Sequence, residues 1–181
     1  MIAPLLLPVV LALGAAPPPR FSLHDQFERP HTQATVFGAG PVVMVGGDER
    51  GTREAMVLWV RALRGPLGGD AALWGLADLD GVPFFVPNST VRKGLRRELP
   101  RTPVLCDWDG EVYPRLGFSE DTVTEVRVFD AAGEAVGTVT GPPTAERVRA
   151  VLTQVARARR GAGPASPPPP RRAPAPPTPG G

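Results

Sequence analysis

The chain has 181 residues, 42% apolar and 21% charged, with a formal charge of +2, values ordinary for one globular domain. Five of the twenty basic residues (Arg157, Arg159, Arg160, Arg171 and Arg172) follow residue 156, where no acid occurs, leaving fifteen basic against eighteen acidic residues before them. The basicity therefore sits at the end, and with no homeodomain, zinc-finger or RNA-recognition pattern beside it, nucleic acid is not an expected partner.

The first stretch, "MIAPLLLPVVLALGAAPPPR", is apolar without a charge from Ile2 to Ala16. As a helix it would reach only about 22 Å, short for a membrane span. The small residues Gly14, Ala15 and Ala16 close it as a signal-peptidase site requires, so residues 1–16 are read as an export signal and 17–20 as a proline-rich spacer. The alternatives are an uncleaved anchor or a mistaken start, since no Lys or Arg precedes the run and Pro17 is an awkward first mature residue. No cysteine follows it as a lipoprotein would need. The expected localisation is periplasmic or secreted, with no stable span once the leader is cleaved.

Residues 21–160 are expected to form the folded domain. "FSLHDQFERPHTQATVF" places Phe21, Leu23, Phe27, Val36 and Phe37 around a polar turn at Glu28-Arg29-Pro30, the pattern of a hairpin or β-arm. A buried strand from Val42 to Val45 leads through glycines to a helix from about Thr52 to Leu63. Ala55, Met56, Trp59, Ala62 and Leu63 give that helix one apolar face, and "GPLGGD" is expected to end it. A second strand follows from Ala72 to Leu79, then a connection bracketed by Pro83 and Pro87. Asn88-Ser89 offer caps for a basic helix from about Val91 to Leu99. A third strand covers Val104 to Cys106, an acidic turn and the short helical "EVYPRLG" follow, and "TEVRVFDAAGEAVGTVTG" is the clearest hairpin. The last helix carries Val148, Val151, Leu152 and Val155 at helical spacing, with Glu146 early and Arg157 to Arg160 late, as its dipole favours. Residues 161–181, rich in proline, read as a disordered, partly polyproline tail. It is a spacer by default, with a contact through Arg171-Arg172 as the sharper alternative. The three tryptophans are assigned to the core or its margin.

The order of β-arm, strand, helix, strand, helix, strand, hairpin and helix resembles the thioredoxin-like fold in its redoxin form, the alkyl hydroperoxide reductase and thiol-specific antioxidant type. "FSLHDQFERPH", "TPVLCDWDGEVYPRLGF" and "VRVFDAAGEAV" carry the likeness, which spans residues 21 to 156. The resemblance implies an α/β three-layer fold with a central mixed sheet flanked by helices. It also implies a Cys-x-x-Cys pair, or a single peroxidatic cysteine, where the first core strand meets its helix. Here that place holds Asp48, Glu49, Arg50, Gly51, Thr52 and Arg53. In the register that gives Thr52 the role of the family threonine, the peroxidatic position falls on Ala55 and the motif's proline on Asp48. The proline that family members place before the penultimate strand is replaced by Thr124.

A thiolate is the nucleophile of disulfide exchange and peroxide reduction, and a carboxylate has no equivalent redox couple. The turn is therefore expected to be a degenerate active site. Cys106, the only cysteine, excludes an intramolecular disulfide and is the sole catalytic candidate. Its apolar strand and the following Asp107, Asp109 and Glu111 are expected to raise its pKa.

Gly46-x-x-x-x-Gly51-Thr52 partly matches a phosphate loop, but it lacks the lysine and carries Asp48 and Glu49 where phosphate would sit. Small-anion binding through Arg50 and Arg53 is the remaining use of the turn. Asp78-x-Asp80-Gly81 and Asp107-x-Asp109-Gly110 fall short of a calcium-loop ligand series and read as turns. His24 and His31 stand without cysteine partners, so neither a metal nor a cofactor is expected. Arg92, Lys93, Arg96 and Arg97 read as a solvated helix face, with docking to an acidic partner or lipid headgroups as the alternative. Asn88-Ser89-Thr90 is formally a glycosylation sequon. The leading expectation is an exported, redox-inactive binding or structural module of unknown partner. The alternatives are a thiol-dependent oxidoreductase or peroxidase acting through Cys106, and an anion sensor built on the Asp48 to Arg53 turn.

Overall fold

The computed structural model describes residues 18–48, 52–119 and 124–161. The expected export signal, the centre of the strand-to-helix turn at 49–51 and the proline-rich tail from 162 lie outside the described residues.

Seven strands form one mixed sheet in the order β2-β1-β5-β4-β3-β6-β7. β1 (Ser22–Asp25) and β2 (Pro30–Thr32) pair as the antiparallel entry arm, with Glu28 at φ 66° in the turn between them. A four-residue helix, α1 (Gln33–Val36), follows where the sequence reading had continued the arm, and it buries Val36. β3 (Val42–Asp48), β4 (Ala72–Asp78) and β5 (Val104–Asp107) are parallel neighbours. They are joined by α2 (Thr52–Leu67) and α3 (Asn88–Glu98). Both connections step the same way across the sheet, and right-handed crossovers then put both helices on one face. α4 (Val112–Arg115) lies in the return from β5 to the far side of β3 and packs on the opposite face. The hairpin of β6 (Glu125–Phe129) and β7 (Ala135–Thr140) precedes α5 (Ala145–Gly161), which returns to the α2 face.

Each layer has its own core. On the α2 face Val43, Val45, Ala77, Val104, Cys106, Val126 and Val128 of the sheet meet Met56, Trp59, Val60 and Leu63 of α2 and the inner residues of α3 and α5. The other face is more aromatic: Phe21, Phe37, Tyr113, Phe118 and Phe129 pack against Val42, Met44, Leu76 and Leu105. Gly46 makes that packing possible, because a Cβ there would come to 2.7 Å of Phe118 Cε1 and 2.9 Å of Tyr113 Oη. Trp59 is fully buried, and its indole N–H donates to the Gly141 carbonyl at 2.7 Å. Trp74 and Trp108 are half-buried at the margins.

Two boundaries differ from the sequence reading. α2 continues past Leu63 through Gly65 and Pro66 to Leu67. A proline this close to a helix end forfeits few bonds, and burying Leu67, 3% exposed, favours the extra turn. The stop is Gly68, at φ +58°, whose N–H donates to the Gly65 carbonyl. α3 begins at Asn88, not near Val91, with Pro87 at its N-cap and no side-chain cap bond, so Asn88 and Ser89 form its first turn and do not cap it. α5 runs to Gly161, one residue beyond the Arg160 at which the sequence ends the helix, and carries Arg157, Arg159 and Arg160; Arg171 and Arg172 are the only charged side chains after it. Residues 18–161 then carry eighteen charges of each sign.

Candidate functional site

β3 ends at Asp48 and α2 begins at Thr52, so the chain turns where the resemblance places its redox motif. Glu49, Arg50 and Gly51 lie outside the described residues, and so does any anion site built on Arg50. Arg53, in the first turn of α2, donates to Glu98 Oε1 of α3 at 3.0 Å. Its guanidinium is thereby tied to a neighbouring helix, which weakens its case as a free anion ligand.

Cys106 is 1% exposed. Its register partner on β4 is Ala77, whose own partner on β3 is Gly47, so the thiol is level with the turn but two strands away. Two inter-strand spacings are about 10 Å. Burial pushes the thiol pKa up to about 12, and Asp25 across the sheet adds to the rise while the Arg92 guanidinium opposes it. The expected rise is present, but the carboxylate behind it is Asp25 of the entry arm and not Asp107, Asp109 or Glu111. The antiparallel pair His24↔Cys106 brings that arm alongside β5.

Asp107 serves as a local scaffold. Its Oδ2 accepts the backbone N–H groups of Val112 at 2.8 Å and Tyr113 at 2.7 Å, anchoring the start of α4. Burial raises its pKa, the two N–H bonds oppose the rise, and Asp78 and Asp109 add to it. Asp78 Oδ1 accepts the Asp80 N–H at 3.2 Å, so this pair too shapes a turn. Gly110, at φ +65°, lets the two acidic turns touch, since a Cβ there would come to 3.0 Å of Asp80 Cβ. The registers Asp48↔Asp78 and Asp78↔Asp107 line up three aspartate positions along the C-terminal edge of β3, β4 and β5.

Beside this edge lies a mostly apolar cavity of about 260 Å3 between α2, α3 and the β4–α3 loop, lined among others by Gly47, Met56, Leu79, Val86, Val91 and Leu95. The same loop presents Phe84 and Phe85, 99% and 72% exposed, as an edge-to-face pair with ring centroids 5.7 Å apart. Exposed adjacent aromatics beside an apolar cavity are the feature the sequence reading missed. The signal in the sequence is the adjacent pair of phenylalanines set between Pro83 and Pro87.

The basic helix is not uniformly solvated. Arg92 stacks over the Trp108 ring at 5.4 Å and donates to Glu28 Oε1 of the entry arm at 3.1 Å, while Lys93 and Arg97 face solvent. His31 also has a partner that the sequence did not reveal: its Nε2 lies 3.0 Å from Oδ2 of the buried Asp25, and its ring meets Trp74 edge-on. Thr124, 4% exposed, directly precedes β6, the position assigned to it.

Among the described residues no helix is long and apolar enough to cross a membrane. No family model matches the sequence, and no curated protein matches it. Solved structures do. Thio-disulfide isomerase from Thermus thermophilus is 21% identical, with 77% of this chain and 94% of that one covered at a TM-score of 0.57. Peroxidoxin BcpB from Mycobacterium tuberculosis is 17% identical, with 82% and 97% covered at 0.53. The exposed lipoprotein thioredoxin of Streptococcus pneumoniae is 14% identical, with 77% and 99% covered at 0.54. The chain has the thioredoxin-like fold of these redoxins, with a single cysteine and no Cys-x-x-Cys pair.

Proposed function

We propose that this chain is an exported, redox-inactive module of thioredoxin-like fold that binds a partner at the C-terminal edge of its sheet. The observation that carries the reading is the state of its only thiol. Cys106 is 1% exposed, two strands from the turn, with a pKa pushed up to about 12. Burial thus keeps the thiol protonated at neutral pH, and the thiolate is the species that attacks a disulfide or peroxide. Binding is supported by the cavity beside Gly47 and the bare Phe84–Phe85 pair. Export is supported by the apolar leader and by the likeness to an exposed lipoprotein thioredoxin.

The test is turnover. Purified chain and its Cys106→Ser variant are assayed for disulfide reduction and for peroxide consumption with an external thiol. The expected result is the same background rate for both. Turnover in the parent that the serine variant abolishes would replace this reading with that of a one-cysteine oxidoreductase. Mass measurement of the mature chain tests the leader, with loss of residues 1–16 the expected result.

A further inference from the structure

We propose that the proline-rich segment of this same chain, residues 162–181, docks in the groove formed by the β4–α3 loop and α3, its prolines on Phe84 and Phe85 and its Arg171-Arg172 pair toward the acidic turns. The inference rests on the binding surface proposed above, and names its occupant. Two phenylalanines at 99% and 72% exposure leave aromatic faces open beside an apolar cavity of about 260 Å3. A polyproline segment suits such a surface, because it is already extended, loses little entropy on docking, and lays proline rings on aromatic ones. The segment "GPASPPPPRRAPAPPTPGG" has that composition.

Charge points the same way. Residues 18–161 balance at eighteen charges of each sign, and Arg171 and Arg172 are the only charged side chains after them. Asp80, Asp109 and Glu111 are exposed at this edge, and among the described residues none of them forms an ion pair. On the other side of the groove Lys93, Arg96 and Arg97 repel a cationic peptide, while Arg53 and Arg92 are engaged by Glu98 and Glu28. The arginine pair is thus directed to the aspartate side, where an Arg can also stack on a phenylalanine face.

The chain is long enough. α5 lies on the same face as α2 and α3, and Arg159 near its end pairs with Asp70, just before β4 begins. From there to the C-terminal end of β4 is one seven-residue strand, about 23 Å at strand rise. The ten residues from 162 to 171 span about 31 Å as polyproline, which carries Arg171 past the end of β4, and the six residues from 174 to 179, four of them proline, add about 19 Å toward Phe84 and Phe85.

The experiment uses the full chain, labelled with 15N. A nitroxide on Ala173→Cys in a Cys106→Ser background is expected to remove most of the amide intensity of Val82, Val86 and Thr90 while sparing Gly137 and Val139 on β7. Phe84→Ala with Phe85→Ala, or Arg171→Glu with Arg172→Glu, should restore it. Should Cys106→Ser unfold the protein, the same arginine reversal in the native background is expected to shift those three loop and helix amides. Loop amides that ignore both the label and the reversal would overturn the proposal, leaving a groove that takes only a foreign partner. Broadening that appears only between a labelled copy and a separate 15N copy would also overturn it, in favour of a second chain. Neither outcome depends on thiol turnover, so the docking and the absence of redox activity fail separately.

Discussion

Two ends of the same parallel strands use polar residues in opposite ways. Where β5 begins, polarity is buried and fully engaged: the Gln26 side chain, 0% exposed, donates to the Leu99 and Thr102 carbonyls at 3.0 and 2.8 Å and accepts the Val104 N–H at 2.7 Å. Asp25 beside it accepts N–H groups from Phe27 and Arg29 and faces His31. Where β3, β4 and β5 end, aspartates shape turns, two phenylalanines stand in solvent and a cavity is left open. The first arrangement holds the entry arm to the sheet, and the second leaves surface for binding. A buried polar group without a partner costs far more than an exposed one, so stability is concentrated at the first end.

Substitutions should separate the two ends sharply. Gln26→Ala strands three buried backbone groups and is expected to cost about 4 kcal/mol in urea-monitored unfolding. A loss below about 1 kcal/mol would break the contrast. Gly46→Ala pushes a methyl into Phe118 and Tyr113 and should cost about 2 kcal/mol by the same measurement. Asp107 gives a smaller effect that depends on pH. Its folded-state pKa is raised, chiefly by burial, so its contribution to stability is fully present below the ordinary carboxylate range and is lost as pH rises through the raised value. Asp107→Asn keeps an acceptor for Val112 and Tyr113 and removes that loss. Relative to the parent, the variant should therefore gain stability between about pH 4 and pH 7, as read by unfolding at both pH values. Phe84→Ala with Phe85→Ala should change stability by less than about 0.5 kcal/mol, because these rings touch little of the core.

The strands and helices were legible because β3 and β5 are built on short uninterrupted apolar runs while α2 and α5 carry helical hydrophobic periodicity, and the sequence order alone resembled the fold. The helix boundaries were less so. Pro66 and Asn88 are read locally as a breaker and a cap, yet burial of Leu67 and the Pro87 N-cap decide those ends. The absence of sulfur at the strand-to-helix turn needed no structure. The groove did, since Phe84-Phe85 between prolines has no periodicity that distinguishes exposed rings from core ones. Long-range locks such as Gln26 with Val104, or Arg92 with Trp108 and Glu28, join residues far apart in the chain and leave no local pattern.

The burial of Cys106 has a practical corollary. A small alkylating reagent can reach this lone sulfhydryl only when the layer packed over β5 opens. Its modification kinetics at rising denaturant therefore act as a built-in stopwatch for opening of the core between sheet and helices, with no engineered probe and no second cysteine in the sequence.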